Sequence, residues 1–128
     1  MPLVTVTVAR PKSAAFKAAV LNAVHEALVA AGVPPADRFQ RVLELAPEDF
    51  VYDARYPDLA LDRGSDFVLI EILWSVGRNV KIKRKVVEDI VAAIAREPGV
   101  DRERVMIAFK ETAWENWAFG GGRQIHVG

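Results

Sequence analysis

The sequence predicts an α/β (α+β) fold in which two β-α-β units are duplicated within one chain. Short runs of aliphatic and β-branched residues, typical of strands, alternate with two longer segments of helical periodicity. The two predicted helix caps, Ser13 and Asn79, are 66 residues apart, and so are Leu3 and Leu69 in the first strand of each unit. Parallel strands joined by a right-handed crossover helix follow from this order. We therefore expect a single domain over 1–128, with an internal repeat of about 2–45 and 68–109.

The first unit begins with a strand at 3–8, preceded by Pro2. Proline donates no ladder hydrogen bond and is tolerated at the first residue of a strand. Ser13 is a suitable N-cap, and apolar residues at three- and four-residue spacing predict a helix over 13–31 that Gly32 ends. Alternation over Phe39–Leu45 predicts the second strand.

The second unit follows a segment, 46–66, in which the pattern weakens and only a short strand at 50–52 is predicted. A strongly apolar run at 67–74 predicts a central strand, and Asn79 caps a predicted helix over 79–96. A final strand is predicted at 105–109. The four strands should form one mixed sheet with both helices on one face, which leaves the other face bare.

Composition excludes several classes of function. Seventeen basic and seventeen acidic residues cancel, so nothing indicates binding to nucleic acid or to a membrane. The chain has no cysteine, which removes disulfides and thiolate chemistry, and it shows no metal-ligand motif, so we expect neither metal nor cofactor. No apolar run suits a membrane span or a signal peptide, and a cytoplasmic protein is therefore expected.

Pro2 is the first candidate for chemistry. Because the residue after Met1 is small, cleavage of Met1 is expected, and Pro2 would then carry a free secondary amine. An α-amino group titrates at about 7.7–8.0, so it could act as a general base in an apolar pocket, or as a general acid beside a negative charge. The alternative is that the Met-Pro start has no chemical consequence.

With Pro2 opening a duplicated β-α-β chain, the sequence resembles the tautomerase superfamily, and within it most closely the malonate semialdehyde decarboxylase group. The resemblance covers nearly the whole chain. It is sharpest in four segments: Met1-Pro2-Leu3-Val4, Asp37-Arg38-Phe39-Gln40, Gly77-Arg78, and Glu115-Asn116-Trp117-Ala118-Phe119-Gly120-Gly121-Gly122. It implies an N-terminal proline that acts as acid or base, and sheets packed around a three-fold axis. The bare sheet face and the 52% apolar content likewise indicate a homotrimer.

The resemblance also implies roles for particular residues. Pro2, Asp37 and Arg78 would be catalytic, with Arg78 holding a substrate carboxylate bidentately near a helix N-terminus. Some members of the group have a second arginine where this chain has Val76. Considered without the resemblance, Asp37 could simply cap a turn and Arg78 could be a surface arginine.

The C-terminal segment contributes aromatic candidates for substrate binding. Trp114, Trp117 and Phe119 either wall the pocket and exclude water or pack at the trimer interface. The three glycines that follow predict a flexible hairpin, and His126 is expected to be disordered.

The function expected from these features is a cofactor-free acid/base enzyme that decarboxylates a small oxo-carboxylate. Two alternatives remain open. Neutral Pro2 could catalyse keto-enol tautomerisation of a 2-oxo acid, or the chain could be a trimeric binding protein without activity. A retained Met1 would favour the last alternative, because it makes the Pro2 nitrogen an amide.

Overall fold

The computed structural model describes residues 1–127 and confirms the duplicated strand–helix–strand order. The strands pair in the order β2-β1-β3-β4, with β1 parallel to β2, β3 parallel to β4, and β1 antiparallel to β3. The elements are β1 (Leu3–Ala9), α1 (Ala14–Ala30), β2 (Phe39–Leu45), β3 (Val68–Ser75), α2 (Val80–Arg96) and β4 (Val105–Thr112).

The core lies between the sheet and the two helices. Alternate residues of the central strands are buried there, Val4, Val6 and Val8 from β1 and Ile70 and Ile72 from β3. They pack with apolar residues of both helices, which lie against each other on this face. Burial of this apolar surface is the main stabilising contribution to such a fold.

Both helices begin where the sequence predicts. The Ser13 hydroxyl accepts a hydrogen bond from the Phe16 N–H at 3.0 Å, and the Asn79 side-chain oxygen accepts one from the Ile82 N–H at 2.9 Å. Each bond satisfies an N–H group that has no partner within the first turn of the helix.

The sheet register sets the position of the candidate site. Leu3 at the start of β1 pairs with Leu73 near the end of β3, whereas Val8 pairs with Val68. Pro2, which is buried, therefore lies at the same end of the sheet as the turn between β3 and α2.

The predicted strand at 50–52 is wrong. These residues lie in a loop after a short 3-10 helix, Pro47–Asp49. The Phe50, Tyr52 and Phe67 rings pack together, and the Tyr52 hydroxyl donates a hydrogen bond to the Gly64 carbonyl at 2.7 Å. The apolar residues thus stabilise a loop through ring packing and need no strand pairing.

The helix-free face of the sheet is mixed in character. Leu3, Leu69 and Leu73 are half-buried on it, and Leu43 and Met106 are exposed. Polar pairs lie among them: the Arg41 Nε donates to the Thr5 hydroxyl at 3.0 Å, and Lys110 forms an ion pair with Glu71 at 2.5 Å. This face is therefore less uniformly apolar than the sequence suggests.

Within residues 1–127, neither helix is long and apolar enough to cross a bilayer. The cytoplasmic location stays a prediction.

Candidate active site

The amino terminus lies beside a buried carboxylate. Asp37 lies in the turn after α1, where its N–H donates to the Pro34 carbonyl at 2.9 Å. Its Oδ2 is 3.0 Å from the Met1 ammonium. Both carboxylate oxygens are buried, and neither accepts a well-aligned hydrogen bond from the residues that the structure describes. The ammonium thus compensates much of the Asp37 charge, and a buried carboxylate without such a partner would be costly.

Arg78 lies in the turn between β3 and α2, directly before the helix cap. Its Nη1 donates to the Ser75 carbonyl at 2.8 Å, and its guanidinium lies over the Trp74 ring at 4.4 Å. Among residues 1–127, no acceptor bonds to its other nitrogens. The side chain is held by the Trp74 ring and through one nitrogen, which leaves its other N–H groups as donors.

Burial lowers the pKa of the Arg78 guanidinium, and the carboxylates of Glu111 and Asp37 partly offset this effect. Arginine remains protonated at neutral pH despite such a shift. Arg78 is therefore a partly desolvated, permanent cation that shares an electrostatic environment with Asp37.

An aromatic wall, defined here as Phe39, Trp117 and Phe119, lies at the same end of the sheet. The Trp117 indole N–H donates to the Ser75 hydroxyl at 3.0 Å, and the Trp117 and Phe119 rings stack within 3° of parallel at 5.8 Å. The Phe119 ring is 6.1 Å from that of Phe39. The wall is thereby joined to the residue that also holds Arg78.

Trp114 lies outside this wall. Its ring meets His126 edge-on at 4.9 Å, and His126 in turn meets Phe119 at 5.8 Å. The expectation that His126 is disordered is wrong, because the two aromatic rings half-bury its imidazole. A bridge between Gly120 and Arg123 closes the expected turn at the glycines.

Three residues of this arrangement were missed by the sequence analysis: Phe39, Trp74 and Ser75. Trp74 and Ser75 directly precede the arginine turn, and this closeness was an available signal for their contact with Arg78. Phe39 meets Phe119 only through the fold, so no local pattern indicates it.

A family profile described as Tautomerase enzyme matches residues 37–120, and the chain therefore belongs to the tautomerase superfamily of enzymes. No curated protein is significantly similar to the chain in sequence.

Among solved structures, the chain is similar to FG41 malonate semialdehyde decarboxylase inhibited by 3-bromopropiolate, with 30% identity and a TM-score of 0.88 over 97% of this chain and 93% of that one. A second malonate semialdehyde decarboxylase, described for its decarboxylase and hydratase activities, has 28% identity and a TM-score of 0.87 over 95% of this chain and 93% of that one. A fused 4-OT symmetric trimer, at 22% identity and a TM-score of 0.76 over 94% of each chain, shares the fold.

Proposed function

We propose that this protein is a cofactor-free decarboxylase of a small 3-oxo acid such as malonate semialdehyde, and that it uses Pro2 as an N-terminal amine after Met1 is removed. The observation that carries the proposal is the ammonium 3.0 Å from buried Asp37, at the same end of the sheet as Arg78. The likeness to two malonate semialdehyde decarboxylases supports the choice of substrate.

Removal of Met1 would give Pro2 the free amine that serves as the general acid. With Met1 present, the Pro2 nitrogen belongs to a peptide bond and has no proton to give. Met1 is largely buried, with 16% of its side chain exposed, so its loss would also free space beside Asp37. The nearby carboxylate would then favour the cationic form of the Pro2 amine, because opposite charges raise the pKa of an amine.

The reaction follows from these positions. Arg78 holds the substrate carboxylate, and the Pro2 ammonium donates a hydrogen bond to the 3-oxo oxygen. The bond between C1 and C2 breaks, carbon dioxide leaves, and the electron pair moves through C2–C3 onto the oxygen. The ammonium stabilises this enolate, and a proton taken up from solvent at C2 completes the aldehyde product. The aromatic wall would exclude water from these charges.

We further propose that the protein is a homotrimer. Half-buried and exposed apolar side chains, Leu3, Leu43, Leu69, Leu73 and Met106, lie on the helix-free sheet face. The fused 4-OT proteins of the same fold are described as trimers. Packing of this face against other copies would remove its apolar side chains from water.

The first test joins intact-mass measurement with the pH dependence of malonate semialdehyde turnover. We expect a mass that lacks Met1 and a decarboxylation rate that falls as pH rises through the pKa of the Pro2 amine, because the reaction needs the cation. A rate that instead rises over this interval, with a 2-oxo acid as substrate, indicates a tautomerase. A retained Met1 with no turnover favours a binding protein.

Two variants test whether Pro2 and Asp37 determine this pH dependence. Pro2→Ala keeps a terminal amine but orients it less rigidly, and should lower the rate by roughly a hundredfold, the usual effect of misplacing a catalytic group by about 1 Å. Asp37→Asn should move the inflection to lower pH, because it removes the charge that favours the cation. Rates that neither variant changes would contradict proline chemistry.

A further inference from the structure

Ser75 is the last residue of β3 and contacts two separate parts of the candidate site. Its backbone carbonyl accepts the hydrogen bond from Arg78 Nη1 at 2.8 Å, and its hydroxyl accepts the one from the Trp117 indole at 3.0 Å. We propose that Ser75 is a positioning residue, whose hydroxyl fixes the aromatic wall relative to the carboxylate-binding arginine. This inference rests on the proposed function.

Both acceptor oxygens have positions set by the sheet. Ser75 is fully buried and pairs with Thr112 at the end of β4. The N–H of the next residue, Val76, donates to the Thr112 carbonyl at 3.0 Å, which extends the pairing beyond the last residue of β3. Groups on such an element are held more precisely than groups on a loop.

The segment that carries Trp117 has much less support. It follows a short 3-10 helix, Trp114–Asn116, and belongs to no strand or helix in the structure. Two other side-chain hydrogen bonds reach it: the Asn116 amide donates to the Thr112 hydroxyl at the end of β4, and the Gln124 amide donates to the Glu115 carbonyl. Because Trp117 and Phe119 stack nearly in parallel, a shift of the indole would move both rings.

The two contacts of Ser75 can be separated by mutation. Ser75→Ala removes the acceptor for Trp117 but keeps the carbonyl that holds Arg78. Carboxylate binding should therefore persist, while the wall loosens and admits water to the reacting charges. We expect kcat to fall about 10- to 100-fold, as when a site is misplaced by about 1 Å, with KM within about twofold of the wild type.

The experiment is a double-mutant cycle on turnover of malonate semialdehyde, with Ser75→Ala, Trp117→Phe and the double variant. Trp117→Phe removes the N–H but keeps a flat ring, and should reproduce the loss in kcat. If the hydrogen bond couples the two residues, the double variant should lose less than the product of the two single losses. Independent, multiplicative losses would overturn the proposal.

Ser13→Ala is the matched control, since it removes a single hydroxyl acceptor at the opposite end of the sheet. It should lower stability but leave kcat and KM unchanged. An equal loss of kcat in this variant would reduce the role of Ser75 to general stability and overturn the proposal. If Ser75→Ala fails to fold, Trp117→Phe tests the same hydrogen bond, because it removes the donor at a residue that is only half-buried.

Hydrogen exchange of the indole protons provides a readout independent of activity. Trp117→Phe identifies the Trp117 signal by NMR, and we expect this proton to exchange faster in Ser75→Ala than in the wild type. An unchanged exchange rate overturns the proposed contact whatever the activity. A protected indole in a protein that does not decarboxylate malonate semialdehyde would instead contradict the proposed function.

Discussion

In the proposed function Arg78 binds a carboxylate, and contacts within the chain already orient its guanidinium before any ligand arrives. The guanidinium carbon lies 4.4 Å from the centre of the Trp74 ring, and the Ser75 carbonyl accepts a hydrogen bond from one of its nitrogens. Lysine could not use both contacts in the same way, because an ammonium is a compact charge without a planar fork. Desolvation, which lowers the pKa of Arg78, also strengthens its attraction to a carboxylate.

Arg78→Ala should lower kcat/KM by a factor that corresponds to a loss of about 2–4 kcal/mol of transition-state stabilisation. The reason is that the variant lacks the charge-assisted pair with the substrate. Steady-state kinetics measure this loss, and circular dichroism should show an intact fold.

Arg38→Ala is the matched control for Arg78→Ala. The Arg38 guanidinium bonds to Asn22 and Gln40, both at 2.8 Å, on the side of α1 and β2. Its removal should leave kcat/KM within about twofold of the wild type. Undiminished activity of Arg78→Ala, with a loss in Arg38→Ala, would assign carboxylate binding to Arg38.

Arg78 lies in the turn that connects the end of β3 to the start of α2. This turn contains Gly77 at φ +124°, a conformation that residues with a side chain rarely adopt. Asn79 then caps α2 and fixes its first turn. The position of Arg78 therefore depends on a backbone geometry that glycine makes accessible.

Gly77→Ala should lower the free energy of unfolding by about 1–3 kcal/mol through backbone strain, and should also lower kcat/KM by displacing Arg78. Denaturant unfolding and steady-state kinetics measure the two effects.

Gly99→Ala provides the comparison for this strain. Gly99 has φ +91° and, like Gly77, has open space where a Cβ would lie. It follows the far end of α2, about 25 Å of helix away from Arg78. The Gly99→Ala variant should lose comparable stability while keeping the activity of the wild type. A Gly77→Ala enzyme as active as Gly99→Ala would show that the turn does not position the arginine.

At the scale of the whole molecule, the two faces of the sheet differ sharply. One face is sealed by α1 and α2, whereas the other presents leucines among a few polar pairs. β3 is a central strand, and Leu69 lies half-buried on this open face near the start of the strand, beside Met106 of β4. A closed ring of copies would cover such a face on every subunit.

The wild-type protein should therefore sediment as a trimer at micromolar concentration. Leu69→Lys should shift it toward monomer, because an unpaired charge would be buried in the interface. Ala18→Lys, at an exposed position of α1, should leave the trimer intact. A monomeric wild-type protein in analytical ultracentrifugation would contradict the proposed assembly.

Local sequence signals were enough to predict the helices and the four strands of the sheet. Ser13 and Asn79 mark both helix starts because capping acts within three residues, and the two crossover helices imply the parallel pairs. The same signals failed at 50–52, where ring packing with Phe67 decides the conformation. They also failed at His126, which two aromatic rings from earlier in the chain half-bury.

The candidate site was only partly accessible from the sequence. The resemblance pointed to Pro2, Asp37 and Arg78, but the tertiary structure alone placed the Met1 ammonium against Asp37 and the Trp117 indole against Ser75. The second contact joins residues 42 positions apart, on different elements. Periodicity and capping report interactions within a few residues along the chain. Contacts between distant residues depend on the sheet register, which is fixed only when the whole core packs.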